Sequence, residues 1–235
     1  MRLRFKLDLF VNIRAVKLLS GGKSVLKGYD REGSIDYTIL KENSEGLYAS
    51  YFGGLIFYDE IATDEQIIIR KGSERIFRYA FKLAEKSRGN ARNEKKVVMW
   101  VDKSNVLKYF AFFRKIFVEI SKNYQDIDTE FMYADSMAHY ILFHTNKLNV
   151  IVTENMLGYI LSDFSVATIE GLSLAYSANV LEEKGMFEPV HRIAVEITGN
   201  GIANLTAMIM SLSAMLEWLR FEKDAEKWRI LYVMR

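Results

Sequence analysis

The sequence predicts an α/β protein in which helices cover a central sheet, and two features predict it. Short β-rich runs alternate with longer amphipathic runs, and half of the 235 residues are apolar. Alternating strands and helices bury their apolar sides by layering helices on a sheet. A chain of this length and apolar fraction buries a substantial core and falls between one and two domains.

The strand candidates are residues 34–40 (SIDYTIL), 65–70 (EQIIIR), 96–101 (KVVMWV) and 149–153 (NVIVT). Residues 21–34, with their glycines, read as a loop. A helix begins near Ser73, where Ile76, Ala80, Leu83 and Ala84 recur at helical spacing, and it ends in the charged, solvated stretch AEKSRGNARNEKK. A second helix spans about 107–124, and the aromatics Tyr109, Phe110, Phe112, Phe113 and Phe117 predict burial on more than one face. The most apolar stretch, 202–219, is interrupted by Asn204, Thr206, serines and Glu217. It falls short of the roughly 20 apolar residues of a membrane span, so it reads as a buried core or interface helix. No repeat, low-complexity tract or flexible Gly/Ser linker occurs.

Composition excludes several classes of function. Lys plus Arg number 32 against 30 Asp plus Glu, so the net charge of +2 gives no reason to expect nucleic acid or an anionic membrane as partner. The absence of cysteine removes disulfides, thiolate-zinc sites and a cysteine nucleophile together, and any metal must use oxygen or histidine ligands. The opening MRLRFKLDLF lacks the apolar core of a signal peptide, which predicts a cytoplasmic protein. There is one proline, Pro189, where about 12 would be typical. Gly22-Lys23-Ser24 lacks the glycine five residues earlier that a phosphate loop needs, since Lys17 stands there. His139 and His144 fall on different sides of a helix and make a poor zinc pair.

The informative residues form an ordered series. Arg4 and Arg14 stand in LRFKLDLFVNIR; Tyr48 ends KENSEGLY; Lys103 lies in VDKSNV and Asp135 in YADS. Asp163 closes TENMLGYILSD, His191 closes FEPVH, and Asn204 closes GNGIAN. Together these blocks resemble the β-decarboxylating dehydrogenases, the isocitrate/isopropylmalate dehydrogenase family, over nearly the whole chain. The resemblance implies a mixed central sheet flanked by helices and lacking part of the N-terminal portion of the family fold. It treats 1–235 as one shortened domain, with about 8–160 including the smaller dimerisation subdomain and about 161–235 returning to the larger one.

The resemblance also implies an activity: oxidation of a 3-substituted malate of the 3-isopropylmalate or isocitrate type by NAD, followed by loss of carbon dioxide, with Mg2+ or Mn2+ polarising the substrate oxygen. It assigns Lys103 and Tyr48 to proton removal and proton delivery. Arg4, Arg14 and Lys41 would bind substrate carboxylates, Asp135 and Asp163 the metal, and His191, Glu196 and Asn204 the cofactor. Lys103 and Asp135 would serve a neighbouring subunit, so a homodimer or a hetero-oligomer with a family subunit follows.

Four departures from the family pattern stand beside the match. Tyr159 occupies the position of a metal aspartate, and a phenol is a poor ligand for a hard cation at neutral pH. Lys41 replaces an arginine and loses its two-pronged grip on a carboxylate. Arg192 and Ile193 add bulk to the cofactor loop, while Glu196 retains an acceptor for ribose hydroxyls that favours NAD over NADP. The front of the family fold precedes Met1, and the C-terminal end is short as well. Three readings therefore stand: an impaired dehydrogenase, a catalytically inactive or regulatory subunit, and a gene fragment.

Overall fold

A computed structural model of the chain describes residues 2–169, 171, 175–191 and 195–233. Its elements in order are α1 (Arg2–Lys6), β1 (Val11–Lys17), β2 (Asp36–Glu42), β3 (Leu55–Phe57), β4 (Ile61–Thr63), α2 (Arg70–Lys86), β5 (Val97–Asp102), α3 (Lys108–Ser121), β6 (Asp128–Tyr133), α4 (Ala134–His144), β7 (Val150–Thr153), α5 (Asn155–Ala167), β8 (Tyr176–Val180), β9 (Gly185–Pro189), α6 (Thr206–Trp218) and α7 (Glu222–Val233). Seven strands form one sheet in the order β6-β5-β7-β2-β1-β8-β9, while β3 and β4 pair as a separate hairpin.

The large sheet is mixed, as predicted. Strands β6, β5, β7 and β2 run parallel, and β1, β8 and β9 add three antiparallel pairings. Parallel strands are normally buried on both faces, and β5 and β7 are buried at every position. On one face Leu40, Val98, Trp100, Val150 and Val152 pack under α2 and α3, whose Phe77, Phe81, Phe113 and Phe117 form an aromatic cluster with Trp100. On the other face Tyr37, Ile39, Met99, Val101 and Ile151 pack under Met137 and Ile141 of α4 and Leu161 and Val166 of α5.

Three expectations change. The run 65–70 is not a strand: Ile67 makes one isolated bridge to Gly46, and α2 begins at Arg70. No sheet edge is available there, and the Ile69 amide donates instead to the Glu45 carboxylate at 2.9 Å. Helix α3 buries one face, with Phe110, Phe113 and Phe117 inside and Phe112 exposed. Helix α6 covers Ala207, Met210, Ser211 and Ser213 and leaves Met208 exposed, so in a single chain it is not buried all round. Among the described residues no helix is long and apolar enough to cross a membrane.

The turn after β2 gathers buried carboxylates. Glu42 accepts from the Ser44 amide at 2.7 Å and also from the Glu45 amide. Gly72 admits Glu45 to the start of α2, since a Cβ there would lie 1.6 Å from its carboxylate oxygen. Burial pushes the Glu45 carboxyl up from 4.5 to about 7, and burial also raises Glu42. Between those two values the folded chain keeps a proton that the unfolded chain has released, so stability falls as pH rises through that window. Thermal unfolding is expected to show Tm declining from pH 4.5 towards about 7, with Glu45→Gln reducing the slope. A Tm that climbs across the window would contradict this.

Candidate functional site

The sheet register sets polar residues in a stripe on the face shared with α5. Side chains alternate faces along a strand, and pairing aligns Lys41 with Asn12, Asn12 with Asn179, and Arg14 with Ser177, which pairs in turn with Glu188. Several of these polar groups pair with one another. Asn12 donates to Ser177 Oγ at 2.8 Å and Asn179 Oδ1 at 2.7 Å; Asn43 donates to Asn179 Oδ1 at 2.9 Å. Lys41 is fully buried and donates to Asn43 Oδ1 at 2.8 Å and Asn155 Oδ1 at 2.9 Å. Burial, together with the positive charges of Arg4 and Arg14, drives the Lys41 ammonium pKa well below its usual value.

Tyr159 is the centre of this cluster. Its hydroxyl accepts from Arg4, its ring lies 3.7 Å below the Lys41 ammonium and 5.6 Å from the Arg14 guanidinium, and the Tyr48 ring is 5.6 Å away. Cations favour an aromatic face because of its negative quadrupole. Arg4 also pairs with Glu188, which accepts a further hydrogen bond from Asn179 at 3.1 Å. Arg14 donates through Nε to Asn12 at 2.9 Å, while its buried Nη1 has no hydrogen-bond partner. Burial lowers the Arg14 pKa, and the negative charge of Asp163 opposes that shift. The residues proposed for substrate, Arg4, Arg14 and Lys41, thus converge with Tyr48 and Asp163 around one phenol.

Two close approaches seat this group. Gly158 lets α5 lie directly on Lys41, since a Cβ there would sit 2.4 Å from Lys41 Cβ. Gly46, with φ +79°, starts the short helical turn Leu47–Phe52 that carries Tyr48, and its Cα faces the Glu154 carboxylate. Glu154 itself caps α5 by accepting from the Met156 and Leu157 amides at 3.0 and 3.3 Å.

Lys103 and Asp135 stand at the other edge of the sheet, beyond β5 and β6, paired with each other at 2.5 Å. The Lys103 ammonium holds the Asp135 carboxyl below its usual range. Asp102 anchors this end: it accepts from Arg114 Nε and Nη2 at 2.8 and 2.7 Å and from the Ser104 amide at 2.9 Å. His191 is exposed just after β9, and Asn204, two residues before α6, accepts from the Thr206 amide at 2.9 Å. The Arg192 and Ile193 positions and the Glu196 side chain lie outside the described residues.

The model of the family described as isocitrate/isopropylmalate dehydrogenase matches residues 1–229. The chain belongs to that family. It is 41% identical over 227 residues to a 3-isopropylmalate/3-methylmalate dehydrogenase of Methanocaldococcus jannaschii, a match covering 96% of this chain and 65% of the relative. It is 40% identical to a homoisocitrate dehydrogenase of the same organism, covering 92% and 61%. The crystal structure of isocitrate dehydrogenase from Methylococcus capsulatus superposes with a TM-score of 0.84 at 36% identity, covering 96% of this chain and 64% of that one. The chain therefore spans about two thirds of the length of the relatives it matches.

Among the described residues no three histidines, aspartates or glutamates converge on a point that would hold an ion. Asp163 stands one helical turn from the phenol of Tyr159, near Arg14, while Asp135 is at the far edge of the sheet. A hard cation requires several oxygen ligands, and the surrounding guanidinium groups repel it. Glu188 and the asparagines Asn12, Asn43, Asn155 and Asn179 complete the cluster without having been singled out in the sequence. The alternation of Asn12 and Arg14 in an otherwise apolar strand is the signal that marks such a face. Gly158→Ala is expected to cost about 1–3 kcal/mol by overpacking Lys41, and Asp102→Asn about 2–4 kcal/mol by stranding Arg114. Urea midpoints measure both, and values unchanged from the parent would refute the packing described.

Proposed function

We propose that this chain is a carboxylate-recognising subunit for the family's oxidative decarboxylation of a 3-substituted malate, of the 3-isopropylmalate or isocitrate type, with low turnover of its own. Arg4, Arg14 and Lys41 hold substrate carboxylates, guanidinium groups gripping them by paired hydrogen bonds. Tyr48 is the proton donor at the reacting carbon, and Lys103 with Asp135 serves the site of a second subunit. NAD is the hydride acceptor, held by His191, Glu196 and Asn204, and the reaction calls for Mg2+ or Mn2+.

The observation that carries low turnover is Tyr159. Its hydroxyl accepts from Arg4 and its ring lies under Lys41, so the position that should bring a carboxylate to a cation is a phenol engaged with the proposed substrate-binding groups. A second subunit is favoured by the β3–β4 hairpin, whose six residues are all exposed, among them Leu55, Ile56 and Ile61. A two-stranded hairpin is marginal in water by itself, and a family partner or a second copy would cover this one.

The test is NAD reduction with 3-isopropylmalate, isocitrate and malate in Mg2+ or Mn2+, alone and with a catalytic family subunit. The expected result is little turnover alone and a change in the partner's KM on mixing. A kcat above about 1 per second for the single chain, within the ordinary enzyme range, overturns the reading. Tyr159→Asp is expected to raise manganese affinity at least about tenfold by adding a carboxylate ligand, read by calorimetry. An unchanged affinity would count against the assigned geometry.

A further inference from the structure

A cleft of about 280 Å3 opens where β5 and β6 begin, at the opposite end of those strands from Lys103 and Asp135. Ligands of open α/β sheets usually sit beyond the carboxyl ends of the parallel strands, so this cleft is separate from the site described above. Val97 and Tyr140 of α4 line it, and the loop between α2 and β5 adds Arg92 and Lys95. Asp128 and Glu130 come from one face of β6, since side chains two apart on a strand point the same way. Lys147 comes from the turn before β7.

The loop is held firmly. Asn90 is buried; its Oδ1 accepts from the Arg92 and Asn93 amides at 3.1 and 3.0 Å, and its own amide donates to the Lys95 carbonyl at 2.8 Å. The Arg92 amide also donates to the Asn146 carbonyl at 2.9 Å, which sets Arg92 beside Lys147. The charges of the cleft are only partly answered. Lys95 pairs with Asp128 at 3.1 Å, whereas Arg92, Lys147 and Glu130 form no ion pair with another described residue. Burial raises the Tyr140 hydroxyl pKa, Glu130 adding to the rise and Arg92 opposing it, so both charges act on one hydroxyl. The neighbouring cleft beyond the loop differs, because its Lys17 and Arg88 are already paired with Asp36 and Glu94.

Two unpaired cations and an unpaired carboxylate around one hydroxyl match a ligand that carries both charges close together. A dianion would meet Asp128 and Glu130, and a bare amine would meet three cations, so each alone is opposed by like charge. We propose that this cleft binds a free α-amino acid, with its carboxylate between Arg92 and Lys147, its ammonium at Glu130, and the Tyr140 hydroxyl donating to the carboxylate. Small-molecule sites run from about 300 to 1,000 Å3, so the volume suits one of the smaller amino acids.

Titration of the full chain, labelled with 15N and followed by amide NMR shifts, tests this with alanine, lactate, ethylamine and inorganic phosphate. Alanine is expected to move the amides of residues 90–95 and Lys147 to saturation. Lactate and ethylamine, which each lack one of its charges, should bind at least about tenfold more weakly. Arg92→Gln and Glu130→Gln, both at exposed positions, should each weaken alanine about tenfold, the scale of one charge-assisted hydrogen bond. Arg31→Gln, in the neighbouring cleft, should leave it unchanged. Lactate, ethylamine or phosphate binding as tightly as alanine overturns the inference, because a single charge would then suffice. No saturable shift, or an equal loss in all three variants, also overturns it. None of these outcomes bears on the carboxylate-recognising role proposed above, which rests on the cluster around Tyr159.

Discussion

The buried Lys41 ammonium is the interaction on which the rest of this molecule depends. It stands where β2, β1 and α5 meet, with no solvent to stabilise its charge, and two asparagine oxygens and an aromatic face take that part instead. Removing one partner from such a network exposes the others to the full cost of desolvation. Asn43 links the ammonium to Asn179 and to the Leu9 carbonyl, and Asn155 ties it to the start of α5. The polar stripe therefore joins the antiparallel half of the sheet to the parallel half and, through Asn12, holds Arg14.

That coupling makes the side chain at position 159 the contact shared by several groups. A carboxylate at position 159 would face Arg4, Arg14 and Lys41 as a charge partner, leaving its outer oxygen for a cation. The phenol instead offers a ring to Lys41 and one oxygen to Arg4. Glu188 pairs with Arg4 from β9, so positive charge at the site is balanced from within the chain.

The two ends of the sheet are held by different physics. At the β1–β8–β9 end the face towards α5 carries buried polar contacts, while Val11, Ala178 and Val180 on the opposite face join the apolar core. At the β5–β6 end the aromatic cluster of Trp100, Phe113 and Phe117 provides hydrophobic burial, and Asp102 with Arg114 locks the strand terminus from which Lys103 projects. The exposed Lys103–Asp135 pair, which salt screens readily, stands on this rigid base.

Much of the fold was readable from the sequence because hydrophobic periodicity is local. Strands β2, β5 and β7 and helices α2 and α3 announce themselves by runs and spacing, and the ordered blocks from Arg4 to Asn204 identify the family. The run 65–70 misleads for the same reason: three isoleucines have strand propensity, but only the tertiary structure decides whether a neighbouring edge exists. Strand β1 was hidden by Asn12 and Arg14, whose polarity makes sense only once Ser177 and Asn179 lie beside them. The types and order of the site residues belong to the sequence. Their convergence on Tyr159, the pairing of Arg4 with Glu188, and the separation of Asp135 from Asp163 belong to the tertiary structure, because contacts between residues more than a hundred positions apart are set by strand order and register.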